Sequence, residues 1–517
     1  MNGWAAHLVI VPVVLPLAAG ALMLLLDERR RRLKAGISLA CTLLLIAAAA
    51  ALLRTADAAA IQAYPLGNWP APFGIVLVAD RLSALMVLLA AALALAALVF
   101  SLARWHRAGP RFHSLVQFLL MGLNGAFLTG DLFNLFVFFE LLLAASYGLA
   151  LHGSGTARVR ASLHYITVNL AASLLFLIGA GLMYGVTGTL NMADLALQIP
   201  AVAPEDRVLV EAAAAILGVA FLVKAGMWPL GFWLPGTYAA ASAPAAALFA
   251  ILSKVGVYAV LRLWLLFFGA GAGGEPLLIG GMATLVFGLI GVLASQDLAR
   301  LAGFSLLVSS GTLLAAIGLG DPAMTGAALY YLVVSTLGIS AFFLLIELVE
   351  RAREPGADIL AVTAAAFLDP EEDAEPEEEV GVVIPATMAL LGLSFACCAL
   401  LIAGLPPLPG FVAKFALLAA LLAPDPVPTA GWALLALLTL SGLAAIIALG
   451  RAGVRIFWAS QERSVPRVRV IEMAPVAALL LLCLGLTAAA GPAMRYMHDT
   501  AQALHAPFGY IEGVLGR

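Results

Sequence analysis

Apolar runs of about 20 residues recur along the whole chain, and the charged residues gather in the short segments between them. A membrane-spanning helix needs about 20 mostly apolar residues, so this pattern predicts an all-α polytopic membrane protein. We predict about 14 transmembrane helices from the runs. They lie near residues 4–26, 35–54, 80–103, 113–130, 132–152, 162–186, 210–232, 243–268, 276–294, 299–319, 323–349, 383–423, 430–456 and 470–492.

The composition excludes an ordinary soluble protein. Of the 517 residues, 63% are hydrophobic and 11% are charged, whereas soluble domains have about 25% charged residues. The mean hydropathy is +1.05. The first apolar run, from Trp4 to Leu26, has no basic region before it and is followed by further runs. We therefore interpret it as a retained helix rather than a cleaved signal peptide.

Two of the predicted helices contain residues that break a helix. The run 383–423 is too long for one straight helix, and its middle holds Gly404, Pro406, Pro407, Pro409 and Gly410. A similar set of glycines and prolines lies at the end of the run 210–232 and just after it: Gly226, Pro229, Gly231, Pro235 and Gly236. We expect broken helices at the seventh and twelfth spans, which a bilayer tolerates only beside a polar cavity.

The two breaks also resemble each other in sequence. AGMWPL at 225–230 aligns with AGLPPL at 403–408, and such internal repeats are typical of transporters. We expect two related five-helix repeats within four segments. These are three N-terminal helices at 1–110, a first repeat (helices 4–8) at 111–268, a second repeat (helices 9–13) at 269–460 with an acidic cytoplasmic loop at 350–381, and a C-terminal helix and tail at 461–517.

The arginines predict an orientation. If the loop at 27–34 faces the cytoplasm, strict alternation places most loop arginines on that side and leaves few opposite: Arg54, Arg81, Arg207 and Arg262. Cytoplasmic loops are rich in Arg and Lys, so we expect both termini outside.

The net charge of −3 depends on one segment. LDPEEDAEPEEEV holds eight of the 30 acidic residues, between Asp369 and Glu379. Without it, 27 basic residues face 22 acidic ones, a balance of +5. Such runs are usually solvated loops, which we favour, and a surface that attracts cations is the alternative.

No motif for a cofactor is present. The four cysteines, Cys41, Cys397, Cys398 and Cys483, lie in apolar runs, without a CxxC or Cys/His spacing. The chain also lacks GxxxxGK[ST] and a GxGxxG that opens a nucleotide domain. The sequence predicts no metal, no redox centre and no bound nucleotide.

Lysine is used in an unusual way. The chain has four lysines and 23 arginines, and three of the lysines lie inside spans. Lys224 is the only charged residue between Glu211 and Lys254, and Lys414 the only one between Glu379 and Asp425. A desolvated lysine can release its proton and arginine cannot, so this choice favours proton handling.

Glu140 stands alone in the middle of the fifth span. Each ionised group in the membrane interior costs about 2.5 to 3.5 kcal/mol, so such groups must be paired, hydrated or neutral for part of the time. A Glu–Lys ion pair that only holds helices together is one alternative. We favour an ion pathway, because intramembrane lysines outnumber acids.

Several segments carry a resemblance to a known family: LTGDLFNLFVFFELLLAASY, VKAGMWPLGFWLPGTYAAASAPAAALFAILSKVGVY, SQDLARLAGFSLLVSSG, GLPPLPGFVAKF and GRAGVRIFWA. Over nearly all its length the chain resembles the D subunits of the Mrp (also called Mnh or Pha) multi-subunit monovalent cation/proton antiporters. It is more distantly similar to the antiporter-like proton-pumping subunits of respiratory complex I and of membrane-bound hydrogenases.

The resemblance implies a proton-translocating subunit of a Na⁺(K⁺)/H⁺ antiporter in a bacterial cytoplasmic membrane, without a cofactor and with the other membrane subunits as partners. It makes Glu140 the carboxylate of the fifth span, Lys224 its partner, Lys254 the central relay and Lys414 the terminal lysine. Two alternatives stay open. One is a pumping subunit of a complex I-like quinone oxidoreductase or a hydrogenase, and the other is an inert membrane scaffold.

The eleventh span departs from the family. Many relatives place a histidine or lysine there, and this chain offers only Ser335, Thr336 and Ser340. Water held by hydroxyl groups is one way to join Lys254 to Lys414.

Four further polar residues lie near span ends. For Asp131, Asn134 and Asp297 we favour helix capping or loop anchoring over ion binding, and for His164 an interfacial position over proton entry.

Overall fold

The computed structural model describes residues 7–58, 61–269, 273–351, 386–457 and 468–516. The predicted acidic loop at 350–381 lies outside the described residues from 352 onward. In the described part the protein is helical, apart from one antiparallel hairpin of β1 (Gln62–Pro65) and β2 (Val76–Ala79), in which Gln62 pairs with Ala79.

The helices of the first half follow the apolar runs. They are α1 (Val11–Leu25), α2 (Arg31–Ala58), α3 (Arg81–Ser101), α4 (Phe112–Leu128), α5 (Leu132–Ala150), α6 (Thr156–Thr187), α7 (Met192–Ala201), α8 (Arg207–Ala225), α9 (Trp233–Ala240), α10 (Ala243–Phe249) and α11 (Leu252–Phe268).

The second half continues in the same way. Its helices are α12 (Glu275–Ala294), α13 (Leu298–Gly318), α14 (Pro322–Glu350), α15 (Ala386–Ala403), α16 (Pro409–Leu422), α17 (Thr429–Phe457), α18 (Val470–Ala488), α19 (Ala490–His505) and α20 (Phe508–Leu515).

The prediction of a polytopic helical membrane protein is confirmed. Within the described residues, 12 helices are long and apolar enough to span a membrane when α10 and α11 are counted as one. Three shorter apolar helices are α1, α4 and α16. One difference concerns the predicted span 243–268, which is interrupted at Ala250–Ile251 between α10 and α11.

The chain leaves the helix at both predicted breaks by the same backbone motif. Gly226 follows the last residue of α8 and Gly404 the last residue of α15, each with φ of +78°. The next N–H donates back to the turn before, from Met227 to Leu222 O (3.0 Å) and from Leu405 to Leu400 O (2.9 Å). Glycine reaches this left-handed conformation without strain, so it ends both helices in a Schellman-type cap.

Burial divides the helices into inner and outer ones. The segment of α10 and α11 that carries Lys254 is wholly buried, and α3, α13 and α14 are largely buried. Helices α2, α6, α17 and α18 expose leucine, isoleucine and valine side chains on one side, as lipid-facing helices do. Lys254 therefore lies in the interior of the bundle.

Candidate functional site

Glu140 and Lys224 lie near each other but do not form a direct ion pair. Glu140 comes from α5 and Lys224 from the last turn of α8, and the carboxylate acts electrostatically on the ammonium group. Among the described residues, neither Glu140 Oε1 nor Lys224 Nζ has a hydrogen-bond partner, although both atoms are buried. The carboxylate of Glu140 and the ammonium group of Lys224 therefore attract each other without a hydrogen bond between them.

An aromatic cluster supports Lys224. Its Nζ lies 5.0 Å from the centre of the Phe139 ring, the residue before Glu140. Phe139 packs on Phe176 and Phe221, with ring centres 5.8 and 6.1 Å away. A ring face attracts a cation, more strongly where water is absent, so the cluster stabilises the ammonium without a second charge.

A glycine brings the helix of Lys254 against the helix of Lys224. A Cβ on Gly256 would lie 2.5 Å from Ala225 N, 2.7 Å from Phe221 O and 2.9 Å from Lys224 C. Only glycine permits this approach of α11 to the end of α8. Lys254, two residues before Gly256, therefore lies on the helix that directly adjoins Lys224.

Lys254 is bound by serines instead of an acid. It is 0% exposed, and its Nζ donates to Ser309 Oγ (2.9 Å) and Ser310 Oγ (3.4 Å) on α13. Ser309 Oγ lies 2.9 Å from Ser335 Oγ on α14. These contacts connect α11, α13 and α14 by polar groups.

A small cavity continues from Ser335 toward the second break. It has a volume of about 30 Å³ and is lined by Ser335, Tyr331 and Ser305 on one side and by Leu401, Gly410 and Ser441 on the other. One water needs roughly 10 to 15 Å³ of such volume, so the cavity has room for about two waters.

Lys414 lies at the far side of this region. Its Nζ donates to Ala403 O (3.0 Å), the carbonyl of the last residue of α15. A Cβ on Gly442, the neighbour of Ser441, would lie 3.3 Å from Lys414 Nζ. The ammonium therefore binds a carbonyl that the break leaves free, as a helix cap does.

The sequence singled out Glu140, Lys224, Lys254 and Lys414 as candidates but did not single out Ser309 and Ser310, which the structure places on Lys254. The sequence feature that could have pointed to these two serines is their adjacent position within the apolar segment SLLVSSG. Of the hydroxyls noted in the eleventh span, Ser335 contacts Ser309, whereas Thr336 Oγ1 donates to its own helix at Leu332 O.

Two of the polar residues near span ends are helix caps, as the sequence predicts. Asp131 caps α5 by accepting from Asn134 N (2.7 Å), and Asp297 caps α13 by accepting from Arg300 N (3.2 Å). His164 is exposed, and its ring bonds only to Arg160 O in the preceding turn. Within the described ranges, no three His, Cys, Asp or Glu side chains come together as metal ligands.

Comparison with known proteins places all four predicted residues inside one family region. The family profile described as "NADH:quinone oxidoreductase/Mrp antiporter, TM" matches residues 129–444. The chain is 60% identical to a probable K⁺/H⁺ antiporter protein, the D subunit from Rhizobium meliloti (strain 1021), across 100% of this chain and 98% of that protein.

A second relative and a solved structure agree with this match. The chain is 35% identical to the D subunit of the Na⁺/H⁺ antiporter of Bacillus subtilis (strain 168), over 98% of this chain and 99% of that one. It also superimposes on a chain of the Mrp complex from Dietzia sp. DQ12-45-1b with a TM-score of 0.85, 27% identity and full coverage of both chains.

Proposed function

Because the chain belongs to the NADH:quinone oxidoreductase/Mrp antiporter family, we propose that it is the D-type membrane subunit of a multi-subunit cation/proton antiporter. Its partners are the other membrane subunits of that complex, as the similarity to the Dietzia Mrp complex supports. The names of the two relatives specify exchange of K⁺ or Na⁺ for protons. We propose that the complex containing this subunit exchanges one of the same two cations.

The first step of the proposed mechanism is a loose charge pair. Glu140 and Phe139 together stabilise a protonated Lys224. Because no hydrogen bond joins Glu140 to Lys224, a small helix movement is enough to weaken their attraction. Lys224 then releases its proton toward Lys254 on the adjoining helix.

In the second step the proton moves from Lys254 to Lys414, and no histidine takes part. Lys254 transfers its proton to the paired hydroxyl groups of Ser309 and Ser335, because a hydroxyl group can both donate and accept a hydrogen bond. Water in the 30 Å³ cavity carries it on toward Lys414. The serine contact to Lys254 is the observation that carries this proposal, since a lysine that only balanced charge would be paired with an acid.

We also propose the number and arrangement of the membrane spans. We assign 14 spans in two five-helix repeats, at 111–268 and 269–460, with the chain in a bacterial cytoplasmic membrane and both termini outside. In the described part of the chain there are twelve long apolar helices, with α10 and α11 counted as one, and three short ones. Because α15 and α16 form one broken span, this count is compatible with 14 spans. The membrane potential supplies about 2.3 kcal/mol per charge for each 100 mV.

The complex I-like alternative makes a different prediction from the antiporter. The family description includes NADH:quinone oxidoreductases, but both named relatives are antiporter subunits. An antiporter exchanges ions in response to an imposed gradient, whereas an oxidoreductase subunit pumps only while an electron donor is oxidised.

The test is K⁺- or Na⁺-dependent ΔpH in everted vesicles that contain the full complex. We expect Glu140→Gln and Lys224→Ala to abolish exchange while the complex still assembles. Glu211→Gln is the matched control, because Glu211 is an exposed carboxylate on α8, the helix of Lys224. Exchange at the wild-type level in both mutants would favour the scaffold, and exchange that requires an electron donor would favour the oxidoreductase.

A further inference from the structure

We propose that Tyr331 relays the proton between Ser309, the serine that binds Lys254, and the cavity that leads toward Lys414. This role rests on the proposed function and adds one residue to the path described above. Tyr331 lies on α14, four residues before Ser335, and therefore one turn away on the same face of that helix. Both side chains line the cavity of about 30 Å³.

The hydroxyl group of Tyr331 lies beside the serine that binds Lys254. It interacts with the side chains of Ser309 and Thr312 on α13. Ser309 Oγ accepts from the ammonium group of Lys254 at a distance of 2.9 Å. The hydroxyl group of Ser309 therefore connects Lys254 on one side to Tyr331 on the other.

Thr312 favours one direction of the Tyr331 hydroxyl group. Thr312 donates its single hydroxyl hydrogen to Val308 O (2.9 Å), so toward Tyr331 it acts as an acceptor. When Tyr331 donates to Thr312, an oxygen lone pair of Tyr331 is left for Ser309. In this arrangement Tyr331 is ready to accept a proton from Ser309.

A phenol suits this transfer better than an aliphatic hydroxyl group. Tyrosine and lysine have ordinary pKa values of about 10 and 10.4, so a proton moves between the two types of group at little cost. Serine does not titrate in this range, and the hydroxyl group of Ser335 also lies 3.3 Å from a competing acceptor, Leu332 O. Among the residues that line the cavity, Tyr331 is the one with a titratable side chain.

The proposed transfer conserves atoms and charge. Lys254 Nζ gives a proton to Ser309 Oγ as Ser309 gives its own proton to Tyr331 Oη. Tyr331 then gives its original proton to water in the cavity, and the amine of Lys414 takes up the last proton of this series. Each O–H bond that breaks is replaced by one that forms, so Ser309 and Tyr331 both end neutral. The positive charge that leaves Lys254 arrives at Lys414.

Tyr330 provides a matched control for Tyr331. It is the preceding residue on the same helix, it is 0% exposed, and its hydroxyl group donates to Leu486 O on α18 (3.0 Å). Tyr330 thus holds α14 to α18, whereas Tyr331 faces α13 and the cavity. Loss of the Tyr330 hydroxyl group removes one contact between helices and leaves the proposed proton path intact.

The experiment compares Tyr331→Phe with Tyr330→Phe in vesicles that contain the full complex. The measurement is the initial rate of K⁺- or Na⁺-dependent ΔpH per assembled complex. We expect Tyr331→Phe to slow exchange about a hundredfold, as for loss of a positioned proton-transfer group, and Tyr330→Phe to leave the rate unchanged. The cation concentration that gives half the maximal rate should stay the same, because the change affects the proton and not the cation. Equal rates in the two variants would overturn the role of Tyr331.

A second substitution separates proton transfer from packing. Tyr331→difluorotyrosine, introduced at a reassigned stop codon, keeps the ring and the hydroxyl group but makes the phenol more acidic. If Tyr331 relays the proton, the alkaline limit of the exchange rate should move to lower pH, and the same substitution at Tyr330 should not move it. An unchanged pH profile would show that Tyr331 only packs against α13, even if Tyr331→Phe fails to assemble.

Failure of this role can be told apart from failure of the proposed function. If Glu140→Gln and Lys224→Ala abolish exchange but Tyr331→Phe exchanges at the wild-type rate, the antiporter relay stands and Tyr331 has no part in it. If Glu140→Gln and Lys224→Ala exchange normally, the proposed function and the role of Tyr331 are both wrong.

Discussion

At the residue scale, the three intramembrane lysines differ in what surrounds their ammonium groups. Lys224 lies over Phe139, Lys254 donates to two serine hydroxyls, and Lys414 donates to the carbonyl of Ala403. None of the three forms an ion pair with an acid in the part of the chain that the structure describes. A charge in the membrane interior without a partner ion is costly, and lysine can remove that cost by losing its proton.

Lys414 provides the sharpest test of this difference, because its contact with Ala403 O also fits a fixed helix cap. We expect Lys414→Arg to be nearly as damaging to exchange as Lys414→Ala. Arginine keeps the charge and the donors but stays protonated even when buried, since its pKa exceeds about 12. The measurement is cation-dependent ΔpH in vesicles with assembly checked in parallel. An active arginine variant beside an inactive alanine variant would make Lys414 a fixed charge.

The serine bridge gives a second prediction at this scale. Ser335→Ala should slow exchange about tenfold, the factor that corresponds to roughly 1.4 kcal/mol, close to the contribution of one hydrogen bond. Thr336→Val is the matched control, because Thr336 is the next residue and bonds only to its own helix. Stopped-flow measurement of vesicle pH gives both rates. Equal exchange rates in the two variants would show that Ser335 is not part of the proton path.

At the element scale, glycines decide which helix surfaces meet at the site. Gly226 and Gly404 end α8 and α15 at the breaks, and Gly256 allows α11 to approach the last turn of α8. The breaks follow from local conformation, whereas the approach at Gly256 depends on two helices that are distant in sequence. Both features are needed to set Lys224 beside the helix that carries Lys254.

Gly256→Ala tests this packing. The added methyl group would meet backbone atoms of Phe221, Lys224 and Ala225, which cannot move aside as a side chain can. Overpacking of this kind costs about 1 to 3 kcal/mol, so we expect a lower melting midpoint and a loss of exchange. Gly218→Ala on α8 is the control, because nothing lies within 4 Å of its added Cβ. If Gly256→Ala exchanges normally, the spacing of α8 and α11 does not matter.

At the scale of the whole molecule, three of the arginines that the sequence assigns to one side of the membrane, Arg104, Arg158 and Arg351, belong to one network. Trp105 donates to Glu347 (2.6 Å), and Arg104 also pairs with Glu347. Arg351 bonds Glu347 and Glu472 (2.7 Å), and Arg158 lies over the Trp105 ring at 5.5 Å. This network joins the ends of α3, α14 and α18, and the ion pair of Arg262 with Asp80 lies at the opposite end of α3.

The gathering of arginines on one face leads to a topology prediction. We expect that face to be cytoplasmic and the C-terminal helices α19 and α20 to lie outside, by the positive-inside rule. Alkaline phosphatase fused after the last residue should be active, and green fluorescent protein at the same point should be dark. Fusion to the 102–111 loop, which carries Arg104, should give the reverse pair of results. Fluorescence at the C-terminus would invert the whole assignment.

The sequence by itself determined the features that depend on local composition. Apolar runs predicted the helices, Gly and Pro predicted both breaks, and isolated charges singled out Glu140, Lys224, Lys254 and Lys414 as candidates, because solvation and backbone conformation act residue by residue. Only the tertiary structure decided what these charges contact. Ser309 and Ser335, the gap between Glu140 and Lys224, and the pairing of Arg262 with Asp80 involve helices far apart in the chain. Such contacts depend on which helix faces meet, and a pattern along one helix does not specify its neighbour.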